Sequence, residues 1–439
     1  MINAAIVGLG RWGQNLVNSV QGKSDKIRFV AGATRTVATA KDYAAQQGFP
    51  LYDDYAKVLA DPAINAIVLA TPHTQHAQQV IAAARAGKHV FTEKPFSLTL
   101  REARAAVRAC AEHRVTLAVG FNWRFQPALQ EIKRMLEDGR LGRLLHIEGN
   151  FCGPSAYRSD RGHWRHSRDE GPAGGMTGRG VHVVDAMLYL AGQIDAVHAQ
   201  SYRLAQDFGL DDTTSMLFRF NSGATAYLGT IIATAETWRM QVFGSKGWVE
   251  VGDVEHLTTW QMRVCYVDPT AFTAHQKPQA VPFFEVSTER AELENFAVAA
   301  AESRPLAAAG GDEEHGVAVM EAILESARSG STVKIGKRAK RPAKPGVIAR
   351  RRKATKRSRS GRGRKLSSRG GAPTRRSRGG PQWKVVIARR CADAAISRRA
   401  AVTLPATGLL RFPRNDNGFT VRDAHHILLV LCHEQLLPP

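Results

Sequence analysis

A glycine triplet near the start of the chain restricts the possible fold more than any other feature. Gly8-Leu9-Gly10-Arg11-Trp12-Gly13 directly follows the apolar run Ala4-Ala5-Ile6-Val7 and opens a helical pattern through Leu16, Val17 and Val20. Alone, G-x-G-x-x-G is a weak pattern; between a strand and a helix it becomes informative. Gly8 permits a tight turn, Gly10 lets a pyrophosphate approach the backbone, and Gly13 lets helix and strand pack closely. The free N–H groups and dipole of the helix N-terminus suit phosphate oxygens. Gly8, Gly10, Arg11, Trp12 and Gly13 are therefore expected to hold a dinucleotide.

Beyond this turn the chain takes on the rhythm of a parallel sheet covered on both faces. Ile27 to Ala33 reads as a strand and Thr36 to Gln47 as a helix ended by Gly48. Ala66 to Ala70 is a strand, Gln75 to Ala86 a helix, His89 to Phe91 a strand, Leu100 to His113 a helix, and Leu117 to Val119 a strand. Strands alternating with helices imply a doubly wound α/β domain. Its second strand bears on the cofactor. A carboxylate about 20 residues beyond the glycines would bond the ribose 2′-hydroxyl of NAD. This chain has Thr34-Arg35 there and no acid before Asp42. Arg35 could instead hold a 2′-phosphate, which points to NADP, with NAD possible if Arg35 is a solvated loop residue.

From about Leu144 the pattern changes. Leu144 to Asn150, Thr213 to Phe220, Ala224 to Thr230, Trp238 to Phe243 and Gly247 to Val251 read as strands joined by short turns, hence a mostly antiparallel sheet. Two helices, Glu289 to Ala301 and Glu313 to Ser329, come after them.

The net charge of +22 suggests nucleic acid until it is located along the chain. Of 61 Lys and Arg, 27 lie beyond residue 336, with only four of the 39 Asp and Glu, which leaves 34 basic and 35 acidic residues in 1–336. The body is near neutral and the excess belongs to residues 337–439. From Lys337 to Arg399 there are 24 basic residues, one acid, and Gly, Ser and Pro throughout, a composition expected to be disordered. Such a tail would bind nucleic acid or another polyanion through phosphates, without base stacking. A non-native extension, as from out-of-frame translation, would have the same appearance. Five cysteines lack CxxC spacing, and the N-terminus has no leader pattern, so a reducing, cytoplasmic setting without membrane segments is expected.

Four further motifs carry a family resemblance: Thr71-Pro72-His73-Thr74-Gln75-His76, Gly87 to Pro95 with its Glu93-Lys94-Pro95, Gly120-Phe121-Asn122-Trp123-Arg124-Phe125, and Gly180-Val181-His182-Val183-Val184-Asp185. With the glycine fingerprint, Gly174-Gly175 and Gly244-Ser245-Lys246-Gly247, their order resembles the Gfo/Idh/MocA oxidoreductases, the relatives of glucose–fructose oxidoreductase and inositol dehydrogenase. The resemblance ends near Ile335. It implies a Rossmann dinucleotide-binding domain over residues 1–122 and an α+β substrate domain over 123–335 with a large, mostly antiparallel open sheet, commonly used for homo-oligomers. Residues 336–439 are left as the basic tail.

Carried over to matching positions, the resemblance makes Lys94 the acid/base beside the nicotinamide and His182 its partner. Burial would lower the lysine's pKa into a useful range. Thr34, Arg35, Thr71, Pro72, His76, Glu93, Asn122, Trp164 and Arg165 would line the cofactor site. Arg124, Arg179, His182 and Asp185, with Lys94, would receive substrate. Many family members carry an Asp four residues before the His; here that position is Gly178. Upstream, Tyr157 to Arg168 holds four arginines and two histidines, which could meet an anion or form a solvated loop. His163 and His166 lack a third metal ligand, so no metal is expected. The expected activity is NAD(P)-dependent hydride transfer at a hydroxyl-bearing carbon of a small polar substrate: a sugar, sugar acid, cyclitol or dihydrodiol. The alternative is a catalytically silent dinucleotide-binding regulator.

Overall fold

A computed structural model describes residues 1–158, 162–254, 258–271, 276–304 and 312–336. The tail expected to be disordered and residues 159–161 of the arginine-rich segment lie outside the described residues.

The first half is a six-stranded parallel sheet, ordered β3-β2-β1-β4-β5-β6. The strands are β1 (Ile2–Val7), β2 (Ile27–Ala33), β3 (Leu51–Tyr52), β4 (Ala66–Leu69), β5 (His89–Glu93) and β6 (Leu117–Gly120). Helices α1 (Arg11–Val20), α2 (Lys41–Gln47), α3 (Tyr55–Ala60), α4 (His76–Arg85) and α5 (Leu100–Glu112) connect them. β1 and β4 consist almost wholly of buried residues, as expected of strands covered on both faces. Caps mark two helix starts: Asp54 accepts from Ala56 N at 2.8 Å, and Thr99 from Glu102 N at 3.2 Å. The helix expected from Thr36 begins later. Val37–Thr39 form a separate 3₁₀ turn in which the Thr39 hydroxyl donates to Thr36 O at 2.9 Å. That local bond and the β-branched side chains compete with α-helix there.

The second half adds α6 (Pro127–Glu137), β7 (Leu144–Cys152), α7 (Val181–Ala191), β8 (Ile194–Tyr202), β9 (Thr213–Phe220), β10 (Thr225–Ile231) and β11 (Thr237–Gly244). After these come β12 (Gly247–Val251), β13 (Gln261–Tyr266), β14 (Gln279–Pro282), α8 (Thr288–Ala301), α9 (Asp312–Ser329) and β15 (Val333–Lys334). The strands form one sheet, ordered β14-β13-β12-β11-β7-β10-β9-β8-β15, antiparallel except where β10 runs parallel to β7. One face, with Ile147, Met216, Leu228 and Met240, packs on Ile132 of α6, Val183 and Met187 of α7, and Met320 of α9. The other leaves Leu217 and Tyr227, direct neighbours across β9 and β10, 55% and 39% exposed. Among the described residues no helix is long and apolar enough to cross a membrane.

α8 does not join this second core. Leu293, Phe296, Ala297 and Ala300 sit with Ile2, Ala4, Phe29 and Phe91, covering one face of the parallel sheet. Ser287 caps the helix by accepting from Arg290 N at 3.2 Å. α8 thereby brings its N-terminus to the carboxyl ends of β5 and β6.

Candidate functional site

The sheet order reverses between β1 and β4, and the crevice beyond their carboxyl ends is where such sheets bind ligands. The glycines shape its floor. Gly8 has φ +97°, and a Cβ there would lie 2.6 Å from Ala70 O; a Cβ on Gly13 would lie 2.0 Å from Gly8 O. Neither position admits a side chain. At Gly10 a Cβ would meet nothing within 4 Å, so the turn opens onto free space just where α1 presents its first amides without a side-chain cap. At the crevice the Trp12 indole N–H faces the Glu93 carboxylate, and Asn122 Oδ1 is buried without a hydrogen bond. The open glycine cradle and this orphaned amide oxygen together fit a dinucleotide. At the end of β2, Thr34 is half-buried and donates its N–H to Tyr52 O at 3.2 Å, while Arg35 is exposed.

The loop after β4 is held from below. His76 is fully buried, with Nδ1 2.8 Å from Pro95 O and Nε2 3.0 Å from Thr71 O. Burial lowers its pKa, so the neutral ring donates to one carbonyl and only packs against the other. It thus ties the Thr71-Pro72 loop to the Lys94-Pro95 turn, whose peptide is cis. His73 and Thr74, which sequence reasoning passed over, clasp the arginine-rich segment from above. His73 Nδ1 lies 2.6 Å from Glu170 O, and Thr74 donates its N–H and hydroxyl to the Glu170 carboxylate at 3.0 and 2.5 Å. The His73 ring meets Trp164 edge-on at 5.3 Å, and Arg165 lies over the Trp164 ring at 4.2 Å. Arg165 is close enough to both Arg11 and Lys94 for their charges to act on each other.

Lys94 sits at the centre. Its Nζ donates to Gly178 O at 3.2 Å. Burial lowers its pKa, the neighbouring Glu93 raises it, and Arg165 and Arg179 lower it further. Glu93 accepts from Lys94 N at 3.3 Å; burial pushes its carboxyl up to about 7, opposed by Lys94. Gly178 belongs to a π-helical turn, Met176–Gly180, that runs into α7, with His182 one turn further on. His182 is buried and stacks on Trp123 at 5.5 Å. A Cβ on Gly178 would meet nothing within 4 Å, so this position is open to a side chain at its first atom.

The remaining expected substrate residues engage protein partners. Arg124 and Asp185 form a buried bidentate pair, Nε to Oδ2 at 2.8 Å and Nη2 to Oδ1 at 2.6 Å. Arg179 donates to Cys152 O at 3.0 Å and to Glu236 at 3.1 Å, and its guanidinium stacks on Phe151 at 4.7 Å. Asn122 donates to Thr288 at 3.3 Å and Glu289 at 3.2 Å, joining β6 to α8. No group of His, Cys, Asp and Glu among the described residues could hold a metal.

A cradle at the switch point and a buried lysine at its inner end define a nicotinamide-dinucleotide oxidoreductase fold. Residues 2–121 match the oxidoreductase family with the NAD-binding Rossmann fold, and 129–250 match the GFO/IDH/MocA C-terminal domain, so the chain belongs to the Gfo/Idh/MocA family. It is 30% identical over 313 residues to the D-xylose 1-dehydrogenase (NADP(+)) 2 of Haloferax volcanii, covering 69% of this chain and 90% of that protein. It is 29% identical over 270 residues to the scyllo-inositol 2-dehydrogenase (NAD(+)) of Bacillus subtilis, 58% of this chain and 75% of the relative. The fold also matches a levoglucosan dehydrogenase complexed with NADH and L-sorbose, with a TM-score of 0.70 at 24% identity, over 76% of this chain and 99% of that one.

Proposed function

We propose that this protein is an NADP-preferring dehydrogenase that moves a hydride between the nicotinamide and a hydroxyl-bearing carbon of a small polyhydroxylated substrate, with Lys94 as its acid/base. The observation that carries this reading is the placement of Lys94. Its ammonium is pressed by burial and two arginines towards the neutral form, at the inner end of a crevice shaped for a dinucleotide. When bound, the dinucleotide supplies the two-electron acceptor or donor. In the oxidative direction Lys94 Nζ takes the hydroxyl proton while the carbinol C–H leaves as hydride, so a carbonyl forms and charge balances. His182, held flat against Trp123, supports the substrate side. The Arg124–Asp185 pair braces helix α7 beneath it rather than offering its charges outward. Trp164 and Arg165, clasped through His73 and Glu170, cover the cofactor. The similar proteins named for sugars and an inositol support a polyol substrate class. The exposed Leu217–Tyr227 face supports self-association through the large sheet.

The absence of a carboxylate at Gly178 favours a second reading, a regulator that binds the dinucleotide without turning it over. Lys94→Met decides between the two, assayed by nicotinamide absorbance against a panel of sugars, sugar acids, cyclitols and dihydrodiols. Turnover should fall by at least about 10²–10⁴-fold with cofactor affinity and melting temperature retained. A wild-type chain that binds cofactor yet turns over nothing on the panel would favour the regulator. Retained turnover in Lys94→Met would remove Lys94 from the acid/base role.

A further inference from the structure

Helix α8 carries an acid that none of the chemistry above uses. Phe296 meets Phe91 of β5 ring to ring, with centroids 5.8 Å apart. One helical turn towards the N-terminus from Phe296 stands Glu292; two residues along β5 from Phe91 stands Glu93. Four helical residues rise about 6 Å and two strand residues about 6.6 Å. The register that seats Phe296 on Phe91 therefore seats Glu292 against Glu93. Phe91 and Glu93 do share a face, because a Cβ on Gly120 of β6 would meet Glu93 Oε1 at 2.8 Å and Phe91 Cζ at 3.1 Å. Glu292 is 3% exposed, and both its oxygens are buried without a hydrogen bond.

The charged groups facing this pair come from three elements. They are Lys94 after β5, Glu289 on α8, and Asp185 on α7, which is itself paired with Arg124. Arg165 and Arg179 act on Lys94 from the other side. Two carboxyls in so dry a place do not both ionise at neutral pH. Burial, and then the charge of Glu93, push Glu292 well above the ordinary carboxylate range. Lys94 feels the charge of both acids.

We propose that Glu292 is a positioning residue for proton transfer: packed against Glu93, it makes a pair of acids of which only one is ionised, which limits the negative charge behind Lys94 and so tunes how readily Nζ gives up its proton. The proposal rests on the reading of Lys94 as the acid/base. When the pair carries a single charge, Lys94 is poised to accept the substrate proton. When Glu292 ionises as well, the second charge holds the ammonium in place.

Glu292→Gln and Glu292→Leu remove the acid with and without an amide, and Glu292→Asp keeps it; all are made in the full chain. Two readouts are taken. The first is melting temperature against pH without cofactor. An acid that keeps its proton in the folded state gives full stability below its unfolded value, about 4.3, and loses it as pH rises towards its folded value. The Gln and Leu variants should therefore gain on wild type as pH rises from 5 to 9. A carboxylate serving only as a hydrogen-bonded strut would leave the difference flat over this range, its loss of stability falling below about pH 4.3. The second readout is the pH profile of kcat/KM for alcohol oxidation. Loss of the second charge should move the limb reporting Lys94 deprotonation down by about one pH unit, with Asp restoring it. A flat or reversed melting trend, or a superposable profile, overturns the proposal while an inactive Lys94→Met leaves the acid/base reading standing. Retained turnover in Lys94→Met overturns both.

Discussion

At Gly178 the family resemblance leads one to expect an Asp, and the structure leaves space for a Cβ there. Nothing lies within 4 Å of where its Cβ would be, and its carbonyl already receives Lys94 Nζ at 3.2 Å. An Asp at 178 should be accommodated and should favour the lysine's charged form. Gly178→Asp is therefore expected to move the Lys94 limb of the kcat/KM profile up by about one to three pH units, opposite in sign to loss of Glu292. An unmoved limb would place the Asp carboxylate away from Nζ. At the other end of the crevice, Arg35 is exposed and the chain offers no acid between it and Asp42. Arg35→Ala should weaken NADP by roughly 1–3 kcal/mol and leave NAD nearly untouched, measured by calorimetry. Equal losses for both cofactors would count against the 2′-phosphate assignment.

The element that most depends on a missing side chain is the β1–α1 turn. A methyl group on Gly13 would lie 2.0 Å from Gly8 O, so Gly13→Ala must push helix from strand. The expected cost is about 1–3 kcal/mol of stability together with loss of dinucleotide binding, seen by thermal melting and titration. A variant that keeps both would mean that the turn yields. This element was legible in the sequence because strand, glycine and helix signals fall together between Ala4 and Val20. The Lys94 turn was legible for the same reason, being a local motif. His73, Glu170 and Glu292 were not. His73 and Glu170 are 97 residues apart and meet only through the docked segment around Trp164. Glu292 stands in a helix without a marked apolar stripe, and its partner is set by packing of Phe296 on Phe91, which no spacing in the chain reveals. Arg124 and Asp185 were each visible as charged residues; that they face each other depends on the approach of two helical segments.

Across the whole molecule, charge and chemistry separate along the chain. Residues 1–336, with 34 basic and 35 acidic groups, contain every matched motif and every element described. A chain ended after Gly336 should keep its kinetics and still sediment as a dimer or larger, while losing any salt-sensitive retention on a polyanion. Failure to fold or to bind cofactor would make residues 337–439 part of the enzyme. Monomeric sedimentation of both forms would argue against pairing through the Leu217–Tyr227 face.

The return of α8 to the parallel sheet has a consequence for how the protein is made. One wall of the cofactor-binding half, contributed by Leu293, Phe296, Ala297 and Ala300, is specified some 170 residues after its last strand, β6. A ribosome that has released β6 has delivered six strands whose face at Phe29 and Phe91 has α1 and α2 packed on it but still lacks α8. Strands β7 to β14 must emerge before that wall arrives, and α9 and β15 follow it to complete the second core. The part of the molecule written first is thus closed only late in synthesis, and the acid behind Lys94 comes into place only with α8.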